Sequence, residues 1–254
     1  PITLANLTFC PVSWVYSSLY IDRRKNMYYS GAFIPYVILV VSSLVLGLGT
    51  QWYIKHEFKK YSLVPSGFNA TGASVARAMM DTNGAANVGI KRISGELTDN
   101  FDPRDNCLHL SDANFSEGSV ASVAVSCHEA GHAVQTAKMY MPSRVRSALV
   151  PVVNLASAAW IYVFIAGVLL NVSGMTVLAI WLYAFTFLFH IVTLPVEIDA
   201  SRRGLAFLKA NAPAGFDYNG AKKVLIAAAL TYVAAAMVSA LQLLYLLGSS
   251  RSRN

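Results

Sequence analysis

The chain has 254 residues, of which 55% are hydrophobic and 13% are charged, about half the charged fraction of an average soluble domain. This composition argues against an ordinary soluble domain and indicates a membrane protein. The net charge of +7 does not indicate nucleic-acid binding, because the chain has no basic stripe interleaved with aromatic residues. Cys10, Cys107 and Cys127 are widely spaced, so we expect free thiols in a reducing compartment.

Four stretches are long and apolar enough to cross a bilayer, which takes about 20 mainly apolar residues. They are residues 31–53, 147–170, 175–196 and 224–247, and only a tight hairpin separates the second from the third. The fourth is rich in Ala and Ser, whose small side chains allow helices to pack closely in lipid. We therefore predict a mainly α, polytopic membrane protein with about four transmembrane helices.

Basic residues flank these spans on one side, which the positive-inside rule makes cytoplasmic. They are Lys55, Lys59, Lys60, Arg144, Arg146, Arg202, Arg203, Lys222 and Lys223. The hairpin between the second and third spans carries no charge, as an outside loop should. The sequence thus predicts a multi-pass protein of the bacterial cytoplasmic membrane, with residues 55–146 and 197–223 on the cytoplasmic side.

The polar region after the first span predicts a small α+β structure. A short helix is expected between Thr71 as N-cap and Gly84 as C-terminal stop. Residues 88–93 and 106–110 are strand candidates, and residues 101–106 (FDPRDN) are turn material between them.

A second helix in this region carries the sequence SCHEAGHAVQTA. Asn114 and Glu117 resemble a capping box that opens a helix running to about Lys138. The segment has mixed polarity and is followed by further basic residues, which leaves fewer than the roughly 20 apolar residues that a span needs. We therefore expect this helix on the membrane surface, in preference to an intramembrane protease with its motif inside a span.

This helix contains the pattern His-Glu-x-x-His. Residues four apart on a helix differ by about 40° in direction and 6 Å in height, so His128 and His132 project from one face and are able to share one metal ion. Glu129 is rotated by about 100°, so its carboxylate can act on water as a general base without being a ligand. Ala130 and Gly131 are small, and we expect them to leave room for substrate. The motif alone is equally compatible with an ordinary polar helix face.

Topology supplies a candidate third ligand. A chain that crosses the membrane out and back after the motif helix returns at residue 196, and Glu197 is the first acid that follows. Pro195 lacks a backbone donor and is able to kink the helix towards the site. The alternative for Glu197 is an interfacial carboxylate paired with nearby arginines.

Other residues near these positions have two interpretations each. Asp199 is spaced to pair with Arg202 or Arg203 on a helix, or it orients a ligand histidine. His190 lies deeper in the third span and is interpreted as a packed or interfacial histidine, although it is a ligand in principle. Cys127 points away from the motif face and is interpreted as a small buried residue.

With these residues in place, the chain resembles the YugP-like family of membrane zinc metallopeptidases, also called neutral zinc metallopeptidases. The resemblance runs from Met27 to about Leu247 and rests on GELTDNFDPR, LHLSDANF, SVAVSCHEAGHAVQ, RSALVPVVNL, VTLPVEIDASRRG and GAKKVLIAAALTYVAAAMVSALQLL. It implies a zinc ion held by His128, His132 and Glu197, with Glu129 as catalytic base. Because it begins at Met27, we interpret residues 1–26, which carry basic residues on the unexpected side, as an upstream extension of a single domain at 27–254.

The chain is more distantly similar to the HtpX and prenyl-protein protease group. That group has a Glu-x-x-Ala-Asp pattern, and here Ser201 stands in place of the Asp, with Asp199 as the nearest substitute. The similarity also implies that a strand beside the motif helix binds extended substrate at a sheet edge. We expect residues 106–110 to form that edge.

Together these observations predict a membrane-anchored zinc endopeptidase acting on protein or peptide substrates in or near the lipid bilayer. The alternative is a non-hydrolytic metal-binding membrane scaffold or binding protein. A structural zinc site is normally closed by four protein ligands, whereas the sequence offers three good candidates. Arg202, Arg203 and Tyr218 are candidate oxyanion partners, with interfacial anchoring as their alternative role.

Overall fold

A computed structural model describes residues 26–251. The described part is mainly helical with one small sheet, which confirms the predicted fold class. Its elements in chain order are α1 (Asn26–Ser62), α2 (Gly72–Thr82), β1 (Gly89–Ile93), β2 (Asn100–Asp102), β3 (Cys107–Ser111), α3 (Asp112–Ser116), α4 (Val120–Ala137), α5 (Met141–Leu169), α6 (Ser173–Asn211) and α7 (Tyr218–Arg251).

Four helices of the described part are long and apolar enough to cross a membrane, as the sequence predicted. They comprise Ile34–Ser62, Met141–Leu169, Ser173–Asn211 and Tyr218–Ser249. Helix α6 has 39 residues and continues through Pro195 without interruption. Because the helix runs well past the predicted third span, the residues that follow that span are carried on its last turns.

The chain divides into two compact units. The first contains residues 50–149 and 191–233, and the second contains the described residues before 50, residues 150–190 and the rest of α7. The extension predicted at residues 1–26 lies outside the described residues except for Asn26. That extension and the single domain predicted at 27–254 stay predictions.

The second unit is held by packing among its helices. Buried Phe164, Ile180 and Leu246 cluster there, and the ring centroids of Trp160 and Tyr183 are 4.7 Å apart. His190 lies in the same unit and its Nδ1 is 2.8 Å from Ser239 Oγ. It is therefore a packed, hydrogen-bonded histidine, in agreement with the preferred interpretation of the sequence.

The first unit contains a three-stranded sheet in the order β1-β3-β2. Strand β3 pairs in parallel with β1 and antiparallel with β2. Leu108 and Leu110 of β3 are fully buried in a core shared with Val123 and Ala124 of α4. The predicted strands at 88–93 and 106–110 are confirmed, whereas assigning Phe101 and Asp102 to a turn was wrong, because β3 offers a second edge with which Asn100–Asp102 pairs.

The predicted capping box was also wrong. Helix α4 begins at Val120, and Ser119 caps it by accepting a hydrogen bond from the Ser122 backbone N–H over 3.1 Å. Asn114 instead lies inside the separate short helix α3, where it is fully buried and donates to Asp99 over 2.8 Å. Between α3 and α4, Gly118 is non-helical and lies so close to the segment before α2 that a Cβ there would be 2.6 Å from the Ala70 carbonyl oxygen.

Candidate metal centre

Three of the predicted ligands converge in the first unit. His128 and His132 project from α4, and Glu197 projects from α6; their ligand atoms all lie within 4.8 Å of one another. Glu197 Oε2 is 3.3 Å from His128 Nε2 and 3.5 Å from His132 Nε2. Glu197 is only 1% exposed, so it does not lie at a water-exposed interface, but it does pair with an arginine, Arg146, as its alternative interpretation expected.

Two glycines allow α4 and α6 to approach this closely. A Cβ at Gly131 would lie 2.6 Å from the Ala200 carbonyl oxygen, and a Cβ at Gly204 would lie 3.1 Å from the Cys127 backbone. Gly131 and Ala130 are both buried, so the expectation that they leave room for substrate was wrong. The space over Gly131 is filled by the backbone of α6, whose close packing offsets the roughly 1 kcal/mol that a helical glycine costs.

The ring of His132 is oriented by a buried glutamine. His132 Nδ1 is 3.0 Å from Gln135 Oε1, while Gln135 Nε2 donates to Val196 O and to Asp199 Oδ2, each over 2.8 Å. Because both acceptors require the amide nitrogen, the glutamine oxygen must face the histidine. His132 therefore carries its proton on Nδ1 and presents the lone pair of Nε2 to the site.

Ser201 stands at the Asp position of the Glu-x-x-Ala-Asp pattern, and Asp199 is the nearest acid. Both residues contact side chains of the candidate site. Ser201 Oγ is 3.0 Å from His128 Nδ1, so the serine contacts the ring directly. Asp199 pairs with Arg203 over 2.6 Å, as one of its two interpretations expected, and it reaches His132 only indirectly, by accepting a hydrogen bond from Gln135. Each ligand histidine thus has a partner on its Nδ1 and directs its Nε2 to Glu197.

Glu129 lies beside the three converging side chains. Its Oε1 is 4.0 Å from His128 Nε2, and its Oε2 accepts a hydrogen bond from the Phe101 backbone N–H over 3.2 Å. Burial raises the pKa of Glu129 to about 8, and the neighbouring carboxylates of Asp99 and Glu197 add to this effect against the opposing charge of His128. The carboxyl group is thus placed to exchange a proton within the site.

Cys127 has no part in this chemistry. It is fully buried and free, and burial raises the pKa of its thiol far above the usual range. A thiol that stays protonated is a poor nucleophile. The interpretation of Cys127 as a small buried residue is confirmed.

Two further residues reach Glu197 that sequence reasoning missed. Arg146 Nη1 lies 3.1 Å from Glu197 Oε1, and the Tyr232 phenol of α7 lies beside the same carboxylate. Arg146 had been interpreted only as a basic flank of a span, and Tyr232 lies within an Ala-rich apolar stretch with no motif around it. The position of this tyrosine between two runs of alanine was the one available signal.

The three candidate oxyanion partners lie elsewhere in the first unit. Arg203 pairs with Asp199 and lies over the ring of Tyr140 at 5.6 Å. Arg202 is exposed on α6, and Tyr218 is the first residue of α7. None of these positions matches the placement of Arg146 and Tyr232 beside Glu197.

The donor set fits zinc. Both carboxylate oxygens of Glu197 are buried and receive no well-aligned hydrogen bond from the described residues, although Arg146 stands at ion-pair distance. A buried carboxylate in this state is costly unless a cation completes its environment. Two imidazole nitrogens and one carboxylate oxygen are ligands that zinc accepts, and three protein ligands leave one position open, as in catalytic zinc sites.

The sheet edge nearest this site is β2. Strand β3 has partners on both sides, so the expectation that residues 106–110 form the substrate-binding edge was wrong. In the described part the free edges belong to β1 and β2. The Phe101 N–H of β2 points away from β3 and towards Glu129, so the edge beside the candidate metal centre is Asn100–Asp102.

Comparison with known proteins agrees with this geometry. A family model described as "Putative neutral zinc metallopeptidase" matches residues 36–251. "Putative membrane protease YugP" of Bacillus subtilis (strain 168) is 38% identical over 213 residues, which cover 82% of this chain and 93% of the relative. No solved structure matches the chain significantly. The range that the family model matches contains the positions of both histidines, Glu129 and Glu197.

Proposed function

Since the chain belongs to the family of neutral zinc metallopeptidases, we propose that it is a membrane-anchored, zinc-dependent endopeptidase acting on membrane or membrane-proximal proteins. The observation that carries this proposal is the convergence of His128, His132 and Glu197 with Glu129 alongside. We also propose, from the basic residues that flank the spans, that the site faces the cytoplasm.

The chemistry divides between the ion and the residues of the chain. His128 Nε2, His132 Nε2 and a Glu197 oxygen would hold zinc, which supplies Lewis-acid activation of water and of a peptide carbonyl. In its deprotonated form, Glu129 takes a proton from the attacking water at its carboxylate and gives it to the leaving amine. Arg146 and Tyr232 place a positive charge and a hydroxyl beside Glu197, where they stabilise the ligand carboxylate.

The substrate is proposed to extend along β2. An added strand bonds to the backbone groups that an edge strand leaves unpaired. The Phe101 N–H faces this edge, where it donates to the Glu129 carboxylate instead of to a strand. A peptide aligned on this edge would therefore present its backbone carbonyls next to the proposed general base.

The test is the substitution Glu129→Gln. It preserves shape and both histidines, so we expect purified protein to retain stoichiometric zinc while cleavage falls by at least about 100-fold, the scale of general acid-base catalysis. Zinc content is measured by metal analysis and cleavage by the release of peptide fragments. Glu96→Gln, an equal change at an exposed glutamate, is the matched control and should leave both unchanged.

Two results would overturn the proposal. One is purified protein without stoichiometric zinc, and the other is a Glu129→Gln variant that cleaves as well as the wild type. If the variant instead captures the same intact partners as the wild type and neither protein cleaves them, the non-hydrolytic scaffold is the better description. Membrane proteins that accumulate in cells only with Glu129→Gln would identify the substrates.

A further inference from the structure

A second group of metal-ligand side chains lies on the sheet, apart from the proposed zinc ligands. The ligand atoms of Asp105, Cys107 and His109 all lie within 4.8 Å of one another. Asp105 Oδ2 is 3.0 Å from His109 Nε2. The group therefore offers an oxygen, a sulfur and a nitrogen donor at one place.

The local sequence explains why these side chains meet. Residues two apart on a strand point to the same face, and Leu108 and Leu110 occupy the core face of β3, so Cys107 and His109 share the other face. Asn106, just before the strand, has a left-handed φ of 50°. This turn folds the preceding Asp105 back over the same face.

The thiol of Cys107 is sheltered but has space around it. Cys107 is free and only 2% exposed. Its neighbour across the sheet is Gly89, where a Cβ would lie 3.2 Å from the sulfur. Any larger residue at position 89 would crowd the sulfur, so the glycine leaves the sulfur free to turn towards its two partners.

The ammonium of Lys91 already supplies a positive charge beside this group. Lys91 pairs in register with His109, its ammonium is 3.1 Å from Asp105 Oδ2, and its charge also acts on Cys107. The side chain is 61% exposed, and exposed ion pairs contribute little to stability. A divalent ion, which offers stronger bonds to all three donors, is therefore able to displace the ammonium at small cost.

We propose that Asp105, Cys107 and His109 form a second metal site, which takes zinc or a similar borderline-soft divalent ion and leaves one position for water. Mixed sulfur, nitrogen and oxygen donors are those that zinc accepts, and the thiolate selects against magnesium and calcium. Binding releases the proton of the Cys107 thiol to solvent. The site is independent of the proposed peptidase activity.

Cobalt(II) distinguishes the two sites, because only the second contains sulfur. The full chain is purified in detergent in a Cys10→Ser, Cys127→Ser background, so that Cys107 is the only thiol. On titration with Co²⁺ we expect the intense near-ultraviolet sulfur-to-cobalt charge-transfer band to saturate at one ion per chain. His132→Ala, which damages only the first site, should leave the band unchanged.

Three substitutions test the donor set. Cys107→Ser should abolish the band, and His109→Ala should weaken Co²⁺ binding by at least about tenfold. Lys91→Met removes the competing ammonium and should tighten binding several-fold, an effect that a general loss of folding cannot produce. Absence of the band at saturating Co²⁺, its persistence in Cys107→Ser, or weaker binding in a folded Lys91→Met variant would overturn the proposal. Circular dichroism verifies that each variant is folded.

Discussion

Gln135 is the residue on which the orientation of His132 depends. Its amide is fixed by two acceptors on α6, so its oxygen is available to His132 Nδ1 in one orientation only. A ligand histidine that is already oriented loses less rotational freedom when metal binds. The side chain is fully buried, and water therefore does not compete for these hydrogen bonds.

Replacing this amide should weaken metal binding without removing a ligand. We expect Gln135→Met, which keeps the length of the side chain, to lower zinc affinity by about 10-fold to 100-fold. Competition with a chromophoric chelator measures the change. Thr136→Ala alters the exposed neighbour on the same helix and should have no effect; equal zinc affinity in Gln135→Met and the wild type would show that the ring needs no such partner.

Arg146 compensates the charge of Glu197 when metal is absent. The carboxylate is almost completely buried, and the guanidinium is 27% exposed and 3.1 Å away. Removing one partner from a buried pair leaves an uncompensated charge, which costs about 3 kcal/mol. Zinc bound by the predicted ligands would supply a replacement positive charge.

We therefore expect Arg146→Met to destabilise the zinc-free protein by about 3 kcal/mol and the zinc-loaded protein by clearly less. The measurement is the free energy of unfolding in denaturant, with and without saturating zinc. Arg144→Met removes a nearby charge that has no described contact with Glu197 and is the matched control. A loss that is the same with and without zinc would contradict a charge-compensating role.

At the scale of elements, the crossing of α4 and α6 sets the geometry of the site. Both helices contribute predicted ligands, and their backbones come close together at Gly131 and Gly204. Any side chain added there separates the helix that carries the histidines from the helix that carries Glu197. The spacing of the predicted ligands therefore depends on two glycines that are not themselves ligands.

Gly131→Ala tests this dependence. The added Cβ would lie 2.6 Å from the Ala200 carbonyl oxygen, so α6 must shift; we expect a destabilisation of about 1–3 kcal/mol together with weaker zinc binding. The unfolding free energy and the chelator competition are measured on the same samples. Gly49→Ala is the control, because a Cβ there would have no described atom outside its own helix within 4 Å. Unchanged zinc affinity in Gly131→Ala would show that zinc binding does not depend on the close crossing of α4 and α6.

The elements that local signals define were predictable from the sequence. Thr71 caps α2 as expected, by accepting from the Ser74 N–H, and the apolar spans follow from composition alone. Strand β2 was not predictable, because its three residues lie in a segment with strong turn signals and pair only because β3 has a free edge. The start of α4 was missed for a similar reason, since the contact at Gly118 comes from outside the helix.

The residues of the candidate site that a sequence motif or the order of the spans identifies were predictable. The spacing of His128 and His132 follows from helix geometry, and the return of the hairpin identified Glu197. The residues that surround these ligands, Gln135, Ser201, Arg146 and Tyr232, come from four helices and carry no common sequence pattern. Their roles depend on tertiary contacts, which become visible only when the packing of α4 against α6 is known.

At the scale of the whole molecule, the distribution of charge predicts which compartment the site faces. Basic residues accumulate at the end of α1, in the first turns of α5, after the apolar part of α6 and at the start of α7, whereas the connection between α5 and α6 has none. Transferring such basic flanks across the membrane is unfavourable, which is the basis of the positive-inside rule. The cytoplasm should therefore contain the motif helix, and the α5–α6 connection should lie outside.

Single cysteines placed at exposed positions test this orientation. In a background lacking native cysteines, Lys138→Cys follows the motif helix directly, and Asn171→Cys lies in the α5–α6 connection; both positions are exposed. A membrane-impermeant maleimide added to intact spheroplasts should label Asn171→Cys and spare Lys138→Cys, because only the outside is accessible. Inverted membrane vesicles should give the opposite pattern. Labelling of Lys138→Cys in sealed spheroplasts would place the site outside the cytoplasm and limit its substrates to proteins exposed there.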